Sequence, residues 1–131
     1  MPLNVLDAHY ASFERDIVPL CQQQGISIIG MNSNAGGHLN DTHMGISPEE
    51  ALRYAMSLPV ATVVSGMDSL DVLRKNIAVA DGFEPLDDKE RADLLARSKP
   101  HARDAVAEPF KSSRKFEGRE GRLANNYPLS G

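Results

Sequence analysis

Apolar and polar residues follow one another in blocks whose period changes along the chain, and the changes mark the elements. Residues 3–6 read as a short strand. Ser12 then precedes Phe13, Ile17, Leu20 and Cys21, which share one helical face. Pro19 lies inside that stretch and predicts a kinked or shortened helix, because proline has no amide proton to donate. Gly25 follows as a natural stop. The next run, Ile26-Ser27-Ile28-Ile29-Gly30-Met31, is almost continuously apolar, as expected for a strand covered on both faces. A polar loop over residues 32–46 leads to Ser47-Pro48-Glu49-Glu50. Here Ser47 caps a helix, Pro48 takes its first turn and Glu50 closes a capping box. Leu52, Ala55 and Met56, with Tyr54, face inward.

The third strand is Val60-Ala61-Thr62-Val63-Val64, rich in β-branched residues. Ser65-Gly66-Met67 then turns into a helix capped by Asp68 or Ser69. Leu70, Leu73, Ile77 and Ala80 form its apolar stripe, and Asp81-Gly82 ends it. A last helix takes Asp87 as cap and Glu90 as its third residue, uses Leu94 and Leu95 as apolar contacts and closes at Lys99-Pro100. Residues 101–131 hold few aliphatics and read as an irregular tail, on the surface or disordered. The expected class is thus α/β: about three strand–helix units on a parallel sheet over residues 1–100, then the tail over 101–131. Three strands leave faces and edges to be covered, so the pattern points to an oligomer or to part of something larger.

The chain's 131 residues suit one domain. No run approaches the roughly 18–20 apolar residues that span a bilayer, which excludes a membrane-spanning helix. The first residues lack a basic patch followed by an apolar core, so no secretory signal is read and a cytoplasmic location is expected. Cys21 is the only cysteine, which excludes an intrachain disulfide and a cysteine zinc cluster. On its apolar face it is expected to be a small buried hydrophobe. Residues 1–97 carry a net charge of −7 and residues 98–131 carry +3. An acidic body argues against a nucleic-acid binder, and the mildly basic tail is read as a solvated segment.

Candidate chemistry gathers in the loops after the second and third strands, because ligands of parallel α/β folds bind at the carboxyl ends of strands. The first loop reads Met31-Asn32-Ser33-Asn34-Ala35-Gly36-Gly37. Its small residues let backbone amides approach a phosphate, and its amide side chains can hydrogen-bond a ligand. The second, Ser65-Gly66-Met67-Asp68-Ser69, enters a helix whose first amides favour an anion. His38-Leu39-Asn40-Asp41-Thr42-His43 offers two imidazoles and a carboxylate, but its spacing fits no fixed metal motif and it is read as a polar loop. No metal site is assigned. No Gly-x-Ser-x-Gly or P-loop pattern is present.

Taken in order, several stretches resemble the C-terminal part of the aldo/keto reductase family, the nicotinamide-dependent oxidoreductases on a (β/α)8 barrel. They are Met1-Pro2-Leu3-Asn4-Val5-Leu6-Asp7, Ile28-Ile29-Gly30-Met31 with Gly36-Gly37, Ser47-Pro48-Glu49-Glu50-Ala51-Leu52-Arg53-Tyr54-Ala55, and Val64-Ser65-Gly66-Met67 through Asn76. Glu108-Pro109-Phe110-Lys111 with Phe116 resembles that family's closing segment. The resemblance implies a partial TIM barrel, strands six to eight with their helices, a C-terminal helix and a tail. It implies NADP or NAD as cofactor. Asn32, Ser33, Asn34 and Gly37 match the loop along the nicotinamide and pyrophosphate; Gly66, Asp68 and Ser69 match the loop at the adenosine ribose or its 2′-phosphate; Asn76 matches a residue at adenine.

The family's catalytic Asp, Tyr, Lys and His lie on earlier strands, in segments that this sequence does not contain. No catalytic residue is therefore assigned, and Tyr10, Tyr54 and Tyr127 fall outside the relevant motif. The expectation is an oxidoreductase fragment without turnover alone, or a nucleotide-binding or interaction module that assembles with itself or with a partner chain. A truncated product with no function of its own is the third reading. Four positions depart from the family pattern. Asn32-Ser33 stands where Lys-Pro or Ser-Pro is common, Asp68 where Ser or Thr is frequent, and Val72 where Gln often lies near adenine. A carboxylate repels a 2′-phosphate, so the choice between NADP and NAD stays open at this point.

Overall fold

The computed structural model describes residues 1–41, 43–105, 107–112 and 118–129. Helices dominate it, and most begin where a side chain satisfies their first amides. Ser12 opens α1 (Phe13–Asp16) by accepting from the Arg15 amide. The run breaks at Ile17, and α2 (Val18–Gln23) starts with Pro19 in its first turn. Pro19 has no amide proton for the turn before it, so one periodic stretch becomes two short helices. A Schellman motif closes α2: the Ile26 amide donates to the Cys21 carbonyl at 2.8 Å and the Gly25 amide to that of Gln22 at 3.2 Å.

After β1 (Ile29–Met31) comes the one-turn α3 (His38–Asp41). Then α4 (Pro48–Ser57) begins with a complete Ser47–Glu50 capping box. β2 (Thr62–Val64) leads to α5 (Leu70–Asp81), whose cap is Ser69 rather than Asp68. α6 (Asp88–Ser98) repeats the capping box with Asp87 and Glu90. Beyond it, single 3-10 turns at Lys99–His101, Arg103–Ala105 and Pro109–Lys111 precede α7 (Arg119–Ala124). Phe116 and Thr42 lie outside the described residues. No described helix is long and apolar enough to cross a membrane.

The sheet departs from the sequence pattern. Three strand–helix units, the arc of a (β/α)8 barrel, do not form. Among the described residues there is one sheet of two parallel strands, with Ile29 opposite Thr62, Gly30 opposite Val63 and Met31 opposite Val64. The first expected strand contracts to a single parallel bridge, Pro2 to Met31, flanked by Leu3 N to Met31 O and Met31 N to Met1 O, each 3.0 Å. Asn4 ends it. Its Oδ1 accepts from the amides of Leu6 and Asp7, both at 3.0 Å. That side-chain turn bends the backbone out of the strand into a 3-10 turn at Asp7–His9. The second strand is also shorter than its apolar run, and it is not covered on both faces. Ile29, Met31 and Val64 project from one face and remain 56%, 47% and 57% exposed.

The core lies on the other side. Leu3, Val5, Leu6 and Ile28 pack with Ala51, Tyr54, Leu58 and Leu94 from α4 and α6 and their flanks. Cys21 is half-buried beside this cluster rather than inside it. Leu52 is buried and Met56 half-buried on α4. The apolar stripe of α5 does not reach the core: none of its residues is buried, and Leu73, Ile77 and Ala80 instead wall a groove with Leu52 and Met56. α4 and α6 are fastened crosswise. Glu50 of α4 pairs with Arg97 of α6 at 2.7 Å, and Glu90 of α6 with Arg53 of α4, also at 2.7 Å. Each carboxylate thus caps its own helix and binds the other. Burial works against the charge on Glu50, but the Arg97 and Ser47 hydrogen bonds outweigh it and hold the carboxyl below its ordinary range. Arg53 and the Asp87 amide do the same for Glu90.

Candidate functional site

Parallel pairing places the carboxyl ends of β1 and β2 side by side, so the loops after them leave from the same edge. Between these loops lies a cavity of about 450 Å³. Asn32, Ser33, Asn34, Gly36 and Gly37 line it from the first loop; Ser65, Gly66, Met67 and Asp68 line it from the second. Pro48 and Val72 complete the wall. Six of the eight sequence-predicted residues, Asn32, Ser33, Asn34, Gly37, Gly66 and Asp68, therefore share one cavity. The other two do not line it. Ser69 uses its hydroxyl to accept from the Val72 amide at 3.2 Å as the cap of α5. Asn76 donates to Ser65 Oγ at 3.1 Å and lines the apolar groove of about 520 Å³ beside β2. Ser65 and Met67 border both spaces.

The first loop has an unusual backbone. Asn32, Ala35, Gly36 and Gly37 all take positive φ, at 58°, 48°, 66° and 87°. Glycine adopts this region freely. An alanine there costs about 1–2 kcal/mol, so the fold must hold Ala35 in place. Three hydrogen bonds do so within the loop. The Ala35 amide donates to the Asn32 carbonyl at 2.9 Å, the Gly36 amide to Asn32 Oδ1 at 2.6 Å and the Gly37 amide to the Asn34 carbonyl at 2.9 Å. Asn32 thus spends its side chain on shaping the loop.

Among the described residues Asp68 is the only charged side chain in the lining, and no described lysine or arginine contributes to it. Lys75, the nearest lysine in sequence, is drawn to Asp71 at 3.2 Å and Glu49 at 3.9 Å. An anion here would rely on backbone amides and on the start of α5, whose first amides have no intrahelical acceptor. Tyr10, Tyr54 and Tyr127 lie outside the lining. Tyr54 is fully buried, its hydroxyl donates to Glu14 at 2.6 Å, and Arg91 pairs with the same carboxylate while lying over the ring. Burial, and then the charge of Glu14, push that phenol well above its ordinary value. Among the described residues no three His, Cys, Asp or Glu side chains gather as a metal site.

Sequence reasoning gave no role to the residues that support the loop from behind. Asn4 is fully buried and uses both ends of its amide. Oδ1 accepts from two backbone amides, while Nδ2 donates to the Asn32 carbonyl at 3.1 Å and to Glu108 Oε1 at 2.9 Å. All four partners have a fixed donor or acceptor character, so the amide has only one satisfied orientation. Glu108 and Asp7 share Lys111, a buried ammonium between two buried carboxylates. Asp7 also accepts from the amides of Phe13 and Glu14, both at 3.0 Å. The available sequence signal was a polar residue interrupting the apolar stretch Leu3-Asn4-Val5-Leu6.

Comparison with protein-family models, with curated proteins and with solved structures found no match to this chain.

Proposed function

We propose that this chain binds a nicotinamide dinucleotide in the cavity between the two loops, as the cofactor side of an oxidoreductase resembling the aldo/keto reductases, and that it does not turn over a carbonyl substrate alone. The convergence of six candidate residues on one cavity at the carboxyl ends of both strands carries this reading. The first loop takes the nicotinamide and pyrophosphate through Ser33 and Asn34, on a backbone that Gly36 and Gly37 shape. Gly66 and Asp68 take the adenosine ribose. The placement of Ser69 and Asn76 favours indirect roles for them: Ser69 shapes the start of α5, and Asn76 holds Ser65 at the border of the cavity. With Asp68 as the only charge in the lining among the described residues, a free 2′-hydroxyl suits the site better than a 2′-phosphate, and NAD is preferred to NADP.

Thermal unfolding with and without each cofactor tests this. NAD(H) at about a hundred times its dissociation constant adds about 2.7 kcal/mol and raises the midpoint. A midpoint indifferent to both dinucleotides contradicts the reading.

A second reading, an interaction module, is favoured by the open sheet face. Ile29, Met31 and Val64 are where a second copy or a partner chain would cover apolar surface. Sedimentation over a concentration series separates self-association from a requirement for another chain.

A further inference from the structure

The strained loop and the buried cluster behind it are joined by one side chain. Glu108 belongs to the segment after α6, more than a hundred residues from Asn4 in sequence, yet both are buried and bonded at 2.9 Å. The second Nδ2 proton of Asn4 goes to the Asn32 carbonyl, which also receives the Ala35 amide. Asn32 is the first of the loop's positive-φ residues and Ala35 the costly one. Strain of this kind persists only where surrounding contacts determine it.

We propose that Glu108 is a positioning residue for the candidate loop. The C-terminal segment clasps the loop through Asn4, and Lys111 holds Glu108 in the clasp by pairing with it and with Asp7. Glu108 does not line the cavity; it acts on a ligand only through the loop. The ligand whose binding this would support is the dinucleotide proposed above. The clasp itself is a property of the chain without ligand.

Hydrogen exchange of the Ala35, Gly36 and Gly37 amides reads the loop directly, with the α4 amides as an internal reference. Glu108→Ala removes the acceptor for Asn4 and is expected to speed exchange of the loop amides at least tenfold while α4 is unchanged. Glu108→Gln keeps an acceptor oxygen, and its loop exchange is expected to return to within about threefold of the original chain. Unchanged loop exchange in Glu108→Ala overturns the proposal. So does equal acceleration in loop and α4, which would mark general destabilisation, or a glutamine variant no better than the alanine one. If Glu108→Ala fails to fold, the two Asn4 side-chain amide protons of the unaltered chain give the same reading. Slow exchange of both supports the clasp, and fast exchange of either overturns it. A nucleotide titration of the same samples keeps the two proposals apart: loop loosening without any nucleotide binding sustains the clasp and contradicts the dinucleotide site.

Discussion

Replacing Asn4 by alanine removes four hydrogen bonds at once from a fully buried position. The amides of Leu6 and Asp7 each lose a neutral bond, worth about 1 kcal/mol apiece. Glu108 loses a donor to a charged acceptor, worth about 1.5–3 kcal/mol, although Lys111 stays beside it. The Asn32 carbonyl keeps the Ala35 amide at 2.9 Å and loses least, about 0.5 kcal/mol. The expected loss is about 4–5.5 kcal/mol, a large part of the roughly 5–15 kcal/mol that holds a domain folded. The chain has no tryptophan, so urea unfolding is followed by far-ultraviolet circular dichroism. The double variant Asn4→Ala with Glu108→Ala adds a sharper test. Both changes break the same bond, so the two losses overlap and fall short of additivity by about 1 kcal/mol or more. A loss below about 1.5 kcal/mol for Asn4→Ala, or strict additivity in the pair, would refute the reasoning.

Three further outcomes are expected. Tyr54→Phe removes the hydroxyl bond to Glu14, which keeps Arg91, and lowers stability by about 1.5 kcal/mol in the same urea assay. Stability falls on acidification in two windows. His9 is held below its ordinary 6.5 by burial and then by Lys99, so its contribution is complete above pH 6.5 and is lost as pH drops through its folded value. Glu50 and Glu90 are held below their ordinary 4.5, so theirs is present above pH 4.5 and lost below it. Urea midpoints across this range check the order, and stability that rises between pH 7 and 5 counts against it. Asp68→Ser relieves repulsion at the ribose and improves NADP affinity about fivefold, or about 1 kcal/mol, while weakening NAD, whose 2′-hydroxyl loses a charged acceptor. Calorimetric titration of both cofactors measures the ratio.

Helix starts were legible because capping is local chemistry. Ser47 and Asp87 do what their spacing to the following amides predicts, and Pro19 divides a helix as its missing proton requires. The strands were not legible to the same degree, since pairing depends on distant residues. The apolar character of residues 3–6 says strand, but the Asn4 side chain offers the Leu6 and Asp7 amides a closer acceptor and turns the chain away. Residues 26–31 look covered on both sides, yet Ile29 and Met31 stay about half exposed. The stripe of α5 has helical periodicity without saying what it faces, and it faces a groove. In the candidate site, loop composition located the lining because glycines and amides follow each strand end. The Asn4–Glu108 support escaped notice because only folding brings those two residues together.

Amide chemical-shift mapping during titration of the unaltered chain with NADH and NADPH tests the central claim most directly. The account predicts saturable shifts at Ser33, Asn34, Gly37, Gly66 and Asp68, reached at lower NADH than NADPH concentration, with α6 and α7 still. Absence of shifts at saturating dinucleotide, or shifts confined to the open sheet face or the tail, would contradict it.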